Sequence, residues 1–317
     1  MIKVAVIGAG AFGREHARVY SEVAGAHLIT VCDIDESRGR AVAERYDASF
    51  VSDYRDLIGR VDAVSVASPT VAHESIACEL LAARIAVLVE KPIASKLEEA
   101  DQMIQAARRG GAVLQVGHLE RFNPAVISAS RILTRPRFFE AHRLSVFTPR
   151  SLDIDVVMDL MVHDIDVVLS FVDSEVSEVR AAGVPILTPR IDIANARVEF
   201  ANGCVANLTA SRVSAERVRK LRFFQPGQYV SIDYAAQEAG VVSVKARPEG
   251  RPEFESRLLQ VEPAEPLRLE IESFLAAVEG AAVKVTGEDG RRALALAVEV
   301  TEKIREHAAR AGVTFAG

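Results

Sequence analysis

The sequence I-K-V-A-V-I-G-A-G-A-F-G, residues 2 to 13, decides the fold of the first part of the chain. The apolar run Ile2–Ile7 predicts a buried strand, and the stretch after the turn has helical periodicity. Gly8 permits a tight turn, Gly10 lets the backbone approach a pyrophosphate, and Gly13 lets the helix pack on the strand. The helix N-terminus then faces the phosphates. This pattern predicts a dinucleotide-binding loop, to which Ala11 and Phe12 also belong.

A second predicted strand, residues 27–31, ends near Asp33. In a dinucleotide-binding fold, an acidic residue at this point accepts hydrogen bonds from the adenosine ribose. Its carboxylate would repel a 2′-phosphate, so we predict NAD as the cofactor and regard NADP as the alternative. Arg38 lies close enough to accommodate NADP, but we interpret it as a charge on a helix surface.

Length, charge and cysteine content restrict the class of protein. A chain of 317 residues predicts two domains, which we divide at residues 1–119 and 120–317. The net charge of −6 argues against nucleic acid or an anionic membrane surface as a partner. We find no signal sequence and no membrane-spanning stretch. Three widely spaced cysteines suggest buried thiols rather than a disulfide framework or a metal site, so we expect a cytoplasmic protein without a metal.

Alternating short strands and amphipathic helices predict an α/β fold for the first domain, with a doubly wound parallel (Rossmann) sheet. The second half predicts an α+β domain with a large, mostly antiparallel open sheet. Asn202-Gly203 and Pro226-Gly227 mark hairpin turns there. The predicted strands of the first domain are 3–7, 27–31, 49–51, 63–67, 87–90 and 113–116. The predicted helices of the chain are 73–83, 97–108, 124–133, a helix from about residue 155, 267–278 and 291–309.

Three strand ends carry unusual residues: Ser68-Pro69-Thr70 followed by His73, then Glu90-Lys91-Pro92, then Gly117-His118. Ligands bind at this edge of a parallel sheet. A lysine at the end of a buried strand must be paired or desolvated, which is common at working sites. The alternative is a salt bridge between Lys91 and Glu90. Pro92 is a candidate for a cis peptide bond.

The run D-V-V-M-D-L-M-V-H-D-I-D, residues 155–166, predicts a buried helix. Charged groups in such a helix are costly unless they are paired or used. Asp159 and His163 lie one α-helical turn apart on one face. There a carboxylate can orient an imidazole that accepts a hydroxyl proton. The alternative is a helix whose acids favour its N-terminal end, with His163 hydrogen-bonded in the core.

Together these parts suit the oxidation of an alcohol. A lysine stabilises the developing alkoxide, a histidine accepts the proton, and the hydride passes to a nicotinamide cofactor. Lys91, Asp159 and His163 are therefore the candidate catalytic residues.

The motifs G-A-G-A-F-G, S-P-T with His73, E-K-P and D-L-M-V-H-D-I-D resemble those of the Gfo/Idh/MocA family of sugar and cyclitol oxidoreductases. The resemblance spans nearly the whole chain. It implies that Lys91, Asp159 and His163 take catalytic and substrate positions, and that Ser68, Pro69, His73, Glu90 and Lys91 take cofactor-side positions. It also implies a substrate-binding second domain whose sheet forms a homodimer or homotetramer. The closing helices are expected to pack back on the first domain.

Within this family, G-H-L-E-R-F-N-P from Gly117 resembles enzymes that oxidise the 3-hydroxyl of UDP-N-acetylglucosamine for lipid A precursors. We hypothesise that Arg121 and Asn123 line the sugar cleft. His118 is a further candidate for a substrate contact, and the alternative is a strand-end histidine that hydrogen-bonds to backbone. Arg143, Arg150 and Arg212 are candidates for the diphosphate, although for each of them a paired or solvated charge is the simpler interpretation. Two alternatives remain open: a dehydrogenase of myo-inositol or a free hexose, and a cofactor-binding regulator without catalysis.

Overall fold

A computed structural model describes residues 1–148, 154–245, 252–313 and 315. Its first part alternates strands and helices as the hydrophobic periodicity predicts. The elements are β1 (Ile2–Ile7), α1 (Ala11–Glu22), β2 (Ala26–Cys32), α2 (Glu36–Arg45), β3 (Ser49–Val51), β4 (Ala63–Val66), α3 (His73–Ala82), β5 (Ala86–Glu90), α4 (Leu97–Gly110) and β6 (Leu114–Gly117). Short 3-10 turns occupy Tyr54–Leu57, Thr70–Ala72 and Leu119–Phe122.

The first sheet is parallel, with strand order β3-β2-β1-β4-β5-β6. The order reverses between β1 and β4, and ligands bind beyond the carboxyl ends of strands at such a switch point. Every residue of β4 is buried, as expected for a strand covered on both faces. The predicted Rossmann fold is confirmed.

The second part begins with a helix and one strand, then a helical segment, then seven further strands. Its elements are α5 (Pro124–Ser130), β7 (Phe138–Leu144), a π-helical turn (Val157–Met161), α6 (Val162–Phe171), β8 (Val176–Val184), β9 (Ile193–Phe200), β10 (Val205–Ser211), β11 (Val218–Gln225), β12 (Gln228–Asp233), β13 (Glu238–Lys245) and β14 (Glu253–Leu258). Two helices follow, α7 (Pro266–Val278) and α8 (Gly287–Ala311).

The second sheet has eight strands in the order β14-β13-β12-β11-β7-β10-β9-β8. Only β7 and β10 pair in parallel, and the other described pairs are antiparallel. Asn202-Gly203 connects β9 to β10, and Pro226-Gly227 connects β11 to β12. The predicted antiparallel sheet and both predicted hairpins are therefore confirmed.

The chain divides into two compact units, each formed by two stretches of sequence. The first unit comprises Met1–Phe122 and Glu265–Leu294, and the second comprises Asn123–Ala264 and Ala295–Gly317. Helix α7 belongs to the first unit, where its buried side chains Leu267, Ile271 and Phe274 join one hydrophobic core with residues of β1, α1 and β2. This core explains why the chain returns to the first unit after residue 264.

The three cysteines are free thiols. Cys32 and Cys204 are buried, whereas Cys78 is only half-buried, so the prediction of three buried thiols is correct for two. Burial raises the pKa of the Cys32 and Cys78 thiols to about 12 and that of Cys204 to about 11. None of the described helices combines the length and the apolar character needed to cross a membrane.

Candidate active site

The glycine turn after β1 has the geometry that the fingerprint requires. Gly8 has a φ of +93°, and a Cβ there would lie 2.6 Å from the carbonyl oxygen of Ala67. A Cβ on Gly13 would lie 1.7 Å from the carbonyl oxygen of Gly8. Only glycine at position 13 therefore allows the first turn of helix α1 to pack this closely against the glycine turn. At Gly10 no heavy atom lies within 4 Å of the position that a Cβ would take, so this face of the turn is open. That open backbone fits a pyrophosphate beside the N-terminus of α1.

A cavity of about 400 Å³ opens beyond the carboxyl ends of β1, β2 and β4. Its walls include predicted cofactor-side residues: Gly8, Gly10, Asp33, Ser68 and Pro69. The buried Ser68 hydroxyl has no hydrogen-bond partner among the described residues. A buried polar atom without a partner is unfavourable, so its position in the cavity wall fits a polar ligand such as the adenosine half of NAD.

Asp33 is almost fully buried, and its carboxylate already accepts four hydrogen bonds. The backbone N–H groups of Ala9 and Asp35 donate at 2.6 and 2.8 Å. The Arg38 guanidinium donates through Nε at 3.1 Å and Nη2 at 2.7 Å. Burial alone would raise the pKa of Asp33, but these bonds, led by that of Arg38, hold it below its ordinary value. Arg38 is thus the exposed charge on helix α2 that the sequence predicts, and in addition it pairs with the Asp33 carboxylate.

His73 is also used differently from what the motif implies. It is buried, with Nδ1 3.1 Å from the Pro92 carbonyl oxygen and Nε2 3.0 Å from that of Ser68. Both ring nitrogens thus lie against backbone carbonyls, which argues against a direct contact with cofactor. Burial lowers the pKa of His73, despite the opposing effect of the two carbonyls. This histidine connects the loop after β4 to the loop after β5.

The Glu90-Lys91-Pro92 segment follows β5, and the Lys91-Pro92 peptide bond is cis as predicted. The Glu90 carboxylate lies 3.0 Å from Nε2 of His16 and accepts the backbone N–H of Lys91 at 3.3 Å. Glu90 is therefore a hydrogen-bond partner of His16, and the alternative of a salt bridge between Lys91 and Glu90 stays a prediction. Sequence reasoning did not select His16, although a histidine on the buried face of α1 just after the glycine turn is an unusual core residue.

His16 belongs to a buried polar network within the first unit. Its Nδ1 lies 3.0 Å from the Ser65 hydroxyl, which in turn lies 2.9 Å from the Tyr20 hydroxyl. The carboxylate of Glu270 on α7 approaches His16 and Glu90, with ligand-type atoms of the three side chains within 4.8 Å of one another. Because both nitrogens of His16 already have hydrogen-bond partners, this arrangement is best described as a hydrogen-bonded network.

The segment after β6 carries the three predicted substrate contacts, His118, Arg121 and Asn123. His118 is buried, and its backbone bonds to Val116 and Arg121. Asn123 accepts the Ala125 N–H at the start of α5, and its amide nitrogen donates to the Tyr234 carbonyl oxygen. The Asn123 amide thus caps α5 and connects it to the segment after β12, and its contact with the sugar stays a prediction. Arg121 is half-buried.

A cation that sequence reasoning missed lies beside Arg121. Lys284 places its ammonium nitrogen 4.7 Å from the centroid of the Phe122 ring. Partial burial, and then the positive charge of Arg121, lower the pKa of Lys284. No local pattern around residue 284 predicts this proximity, because it depends on the return of the chain to the first unit.

Asp159 and His163 lie on the predicted helix, but its first turn is π-helical. Asp159 is in the π-helical turn, and His163 is in the first turn of α6; both side chains are half-buried. The predicted helix is therefore confirmed, and the sequence did not predict that its first turn is π-helical. Short π-helical turns are frequent at functional sites. Lys91 belongs to the first unit and these two residues to the second, so their joint action stays a prediction.

The candidate diphosphate arginines of the second unit have partners inside it. Arg143 is buried, donates to Asp164 through Nε at 2.8 Å and Nη2 at 3.0 Å, and lies over the Tyr234 ring. Arg212 is buried and donates to the Ile154 carbonyl oxygen. These internal contacts argue against a diphosphate role for either arginine. Arg150 lies outside the described residues.

Comparison with known protein families identifies both halves of the chain. Residues 2–118 match an oxidoreductase family described by its NAD-binding Rossmann fold. Residues 127–225 match the GFO/IDH/MocA C-terminal domain.

Individual relatives extend the similarity over the full length. The chain is 37% identical over 302 residues to UDP-N-acetylglucosamine 3-dehydrogenase from Acidithiobacillus ferrooxidans, covering 94% of this chain and 96% of that protein. A solved structure of that enzyme has a TM-score of 0.92 at 36% identity, covering 96% of this chain and 98% of the other. An inositol 2-dehydrogenase from Acidothermus cellulolyticus is 36% identical over 191 residues, or 57% of this chain and 56% of that protein.

Proposed function

Because the chain belongs to the Gfo/Idh/MocA family of oxidoreductases, we propose that it oxidises the 3-hydroxyl of UDP-N-acetylglucosamine to a ketone. The observation that carries this proposal is the 37% identity to an enzyme with that name over nearly the whole of both chains. The ketone is a substrate for transamination, which would place the reaction in the formation of amino-sugar precursors of lipid A.

The proposed chemistry divides between the two units. The Lys91 ammonium donates a hydrogen bond to the hydroxyl oxygen and stabilises the negative charge that develops there. His163 accepts the hydroxyl proton, and Asp159 orients the imidazole. Bound NAD supplies the hydride acceptor for the hydrogen on the same carbon. The open face at Gly10, the α1 N-terminus and the Ser68 hydroxyl are the groups that would hold this cofactor.

We propose NAD rather than NADP, with Asp33 as the residue that decides. Because Arg38 occupies two acceptor positions of the Asp33 carboxylate, it must move before the adenosine ribose hydroxyls can bind there. In that moved position Arg38 could meet a 2′-phosphate. The pair therefore sets the balance between the two cofactors.

Arg38→Ala tests this balance in direct binding titrations with NADH and NADPH. We expect the Kd for NADH to be equal or lower, because the Arg38 guanidinium no longer competes with the ribose for Asp33. We expect the Kd for NADPH to be higher. Asp33→Ala should raise the Kd for NADH by about tenfold, the equivalent of one charge-assisted hydrogen bond. Arg40→Ala on the same helix, where Arg40 pairs with exposed Glu36, is the control. A higher Kd for NADH in Arg38→Ala would contradict the proposal that Arg38 competes with the ribose for Asp33.

For the diphosphate we propose Lys284 and Arg121 in place of the buried arginines. Lys284 lies close enough to Arg121 for their positive charges to interact, and two neighbouring positive charges suit an anionic group such as a diphosphate. A free cyclitol has no phosphate and would gain nothing from these two side chains.

The deciding experiment is an absorbance assay of NADH formation from NAD with UDP-N-acetylglucosamine, myo-inositol and free hexoses, coupled to an aminotransferase that removes the ketone. We expect turnover with the nucleotide sugar and none in Lys91→Ala. Lys284→Ala should raise KM for the nucleotide sugar by about tenfold, the equivalent of one lost charge-assisted contact. Lys303→Ala, an exposed lysine paired with Glu306, should not. Absence of turnover with the nucleotide sugar would refute the proposed substrate.

A second candidate function is the oxidation of myo-inositol. It is favoured by the similarity of the chain to inositol 2-dehydrogenases, which covers little more than half of each protein. Preferred turnover of inositol, with Lys284→Ala indistinguishable from the unmodified protein, would select this candidate.

A further inference from the structure

The backbone on both sides of Lys91 is held by two buried histidines to which the proposed mechanism gives no role. The residue before it, Glu90, bonds through its side chain to His16 at 3.0 Å. The residue after it, Pro92, lies with its carbonyl oxygen 3.1 Å from Nδ1 of His73. The exposed fractions of the two histidines are 0% and 1%.

The second ring nitrogen of each histidine lies against a residue in or just after β4. The other nitrogen of His16 lies 3.0 Å from the hydroxyl of Ser65 on β4, which is fixed in turn by Tyr20 of α1. The other nitrogen of His73 lies 3.0 Å from the Ser68 carbonyl oxygen, just after β4. Both rings therefore connect the carboxyl end of β4 to the carboxyl end of β5, once before and once after the lysine in sequence.

We propose that His16 and His73 are positioning residues for Lys91, acting through Glu90 and Pro92 respectively. A lysine side chain is long and flexible, so its ammonium can meet a reacting oxygen reproducibly only if the backbone that carries it is fixed. Displacement of a catalytic group by about 1 Å can cost about a hundredfold in rate. This inference rests on the proposed function of Lys91.

The first test measures kcat per NADH-binding site in His16→Ala and His73→Ala, with His27→Ala as the control at an exposed histidine of the same unit. We expect kcat to fall by about tenfold to a hundredfold in the two buried variants. The Kd for NADH and the KM for the sugar should stay nearly unchanged, because the nitrogens of both rings face protein groups. Normal kcat per binding site, even at a lower melting temperature, would overturn the proposal.

Conservative variants separate the hydrogen bond from general packing. His16→Gln keeps an N–H donor near the position of Nε2 and should recover most of the kcat lost in His16→Ala. His73→Gln supplies an N–H donor for one of the two carbonyls, as a neutral imidazole does, and should recover most of the kcat lost in His73→Ala. Equal kcat in the Gln and Ala variants at either position would overturn the hydrogen-bond mechanism, and the Gln variants also serve if an Ala variant fails to fold.

A readout that is independent of turnover is the rate at which acetic anhydride acylates Lys91 in the protein without cofactor, measured by peptide mass spectrometry relative to exposed Lys96. We expect this ratio to change in both buried variants and not in His27→Ala. An unchanged ratio would overturn the positioning role. Normal kcat in Lys91→Ala would instead refute the catalytic role of the lysine, and the labelling ratio would still report its position.

Discussion

At the residue scale, Gly10 and Gly13 separate the folding role of the glycine turn from its binding role. A methyl group at Gly13 would collide with the Gly8 carbonyl oxygen, so Gly13→Ala should cost on the order of 3 kcal/mol or more of unfolding free energy. Gly10 has φ −64° and open space. Gly10→Ala should therefore change the unfolding free energy by no more than about 1 kcal/mol.

The Gly10→Ala variant also tests cofactor binding. Because a pyrophosphate would approach the Gly10 backbone, Gly10→Ala should raise the Kd for NADH by about tenfold, while its urea unfolding curve stays close to that of the unmodified protein. Fluorescence titration with NADH gives the Kd. Unimpaired NADH binding in a folded Gly10→Ala protein would show that the cofactor does not approach this backbone.

The residues that sequence reasoning located are those with a local signature. The glycine turn, Asp33 and the cis bond before Pro92 all follow from short motifs. The pairing of Arg38 with Asp33 was not predicted, because this bidentate contact depends on side-chain direction rather than on position in α2. His16 could not be assigned a partner, since Glu90 is 74 residues further along the chain.

At the element scale, the connection between β8 and β9 depends on one buried carboxylate. Asp192 accepts the backbone N–H groups of Ile186, Leu187 and Thr188 and the Thr188 hydroxyl. The adjacent Ile191 carbonyl oxygen accepts the Val156 N–H, just before the π-helical turn. Asp192 therefore stabilises both the connection and the start of the helical segment that carries Asp159.

Asp192→Asn should lower the unfolding free energy at neutral pH by about 2 kcal/mol, because buried N–H donors lose a charged acceptor. Burial alone would raise the pKa of Asp192, but its hydrogen bonds outweigh burial and lower the pKa below 3.8. Its stabilisation is thus complete above that pH and is lost as pH falls through the lowered pKa. Urea unfolding between neutral pH and pH ~3 should show a weaker acid dependence in the variant.

The exposed Asp173, changed to Asn, is the control for the loss of a negative charge. If Asp192→Asn retained the acid dependence and the stability of the unmodified protein, the Asp192 carboxylate would not stabilise the connection between β8 and β9.

Strands and hairpins were predictable because their periodicity and turn residues are local. The π-helical turn at Val157–Met161 was not, since an i→i+5 turn has no distinct hydrophobic period over so few residues. The position of β7 between β10 and β11 was also beyond sequence reasoning, because it is set by pairing with strands far along the chain.

At the scale of the whole molecule, the sheet of the second unit predicts self-association. The side chains of its strands alternate: Leu221 and Phe223 are fully buried on one face, whereas Phe224 on the other face is 37% exposed. Phe224 contacts Phe138 and Tyr229, with ring centroids 5.9 and 5.0 Å apart. An exposed aromatic cluster on an open sheet is typical of a surface that is covered in an assembly.

We expect the protein to be a homodimer or homotetramer in light scattering coupled to size-exclusion chromatography. Phe224→Glu should reduce the mass to that of a smaller species, because the assembly would bury an unpaired carboxylate at each copy of the cluster. Leu187→Glu, at an exposed leucine in the connection after β8, should not change the mass. The Phe224 variant must keep the circular dichroism spectrum of the unmodified protein for the comparison to hold. An unmodified protein that is monomeric at every concentration, or an equal mass in Phe224→Glu, would refute association through this face of the sheet.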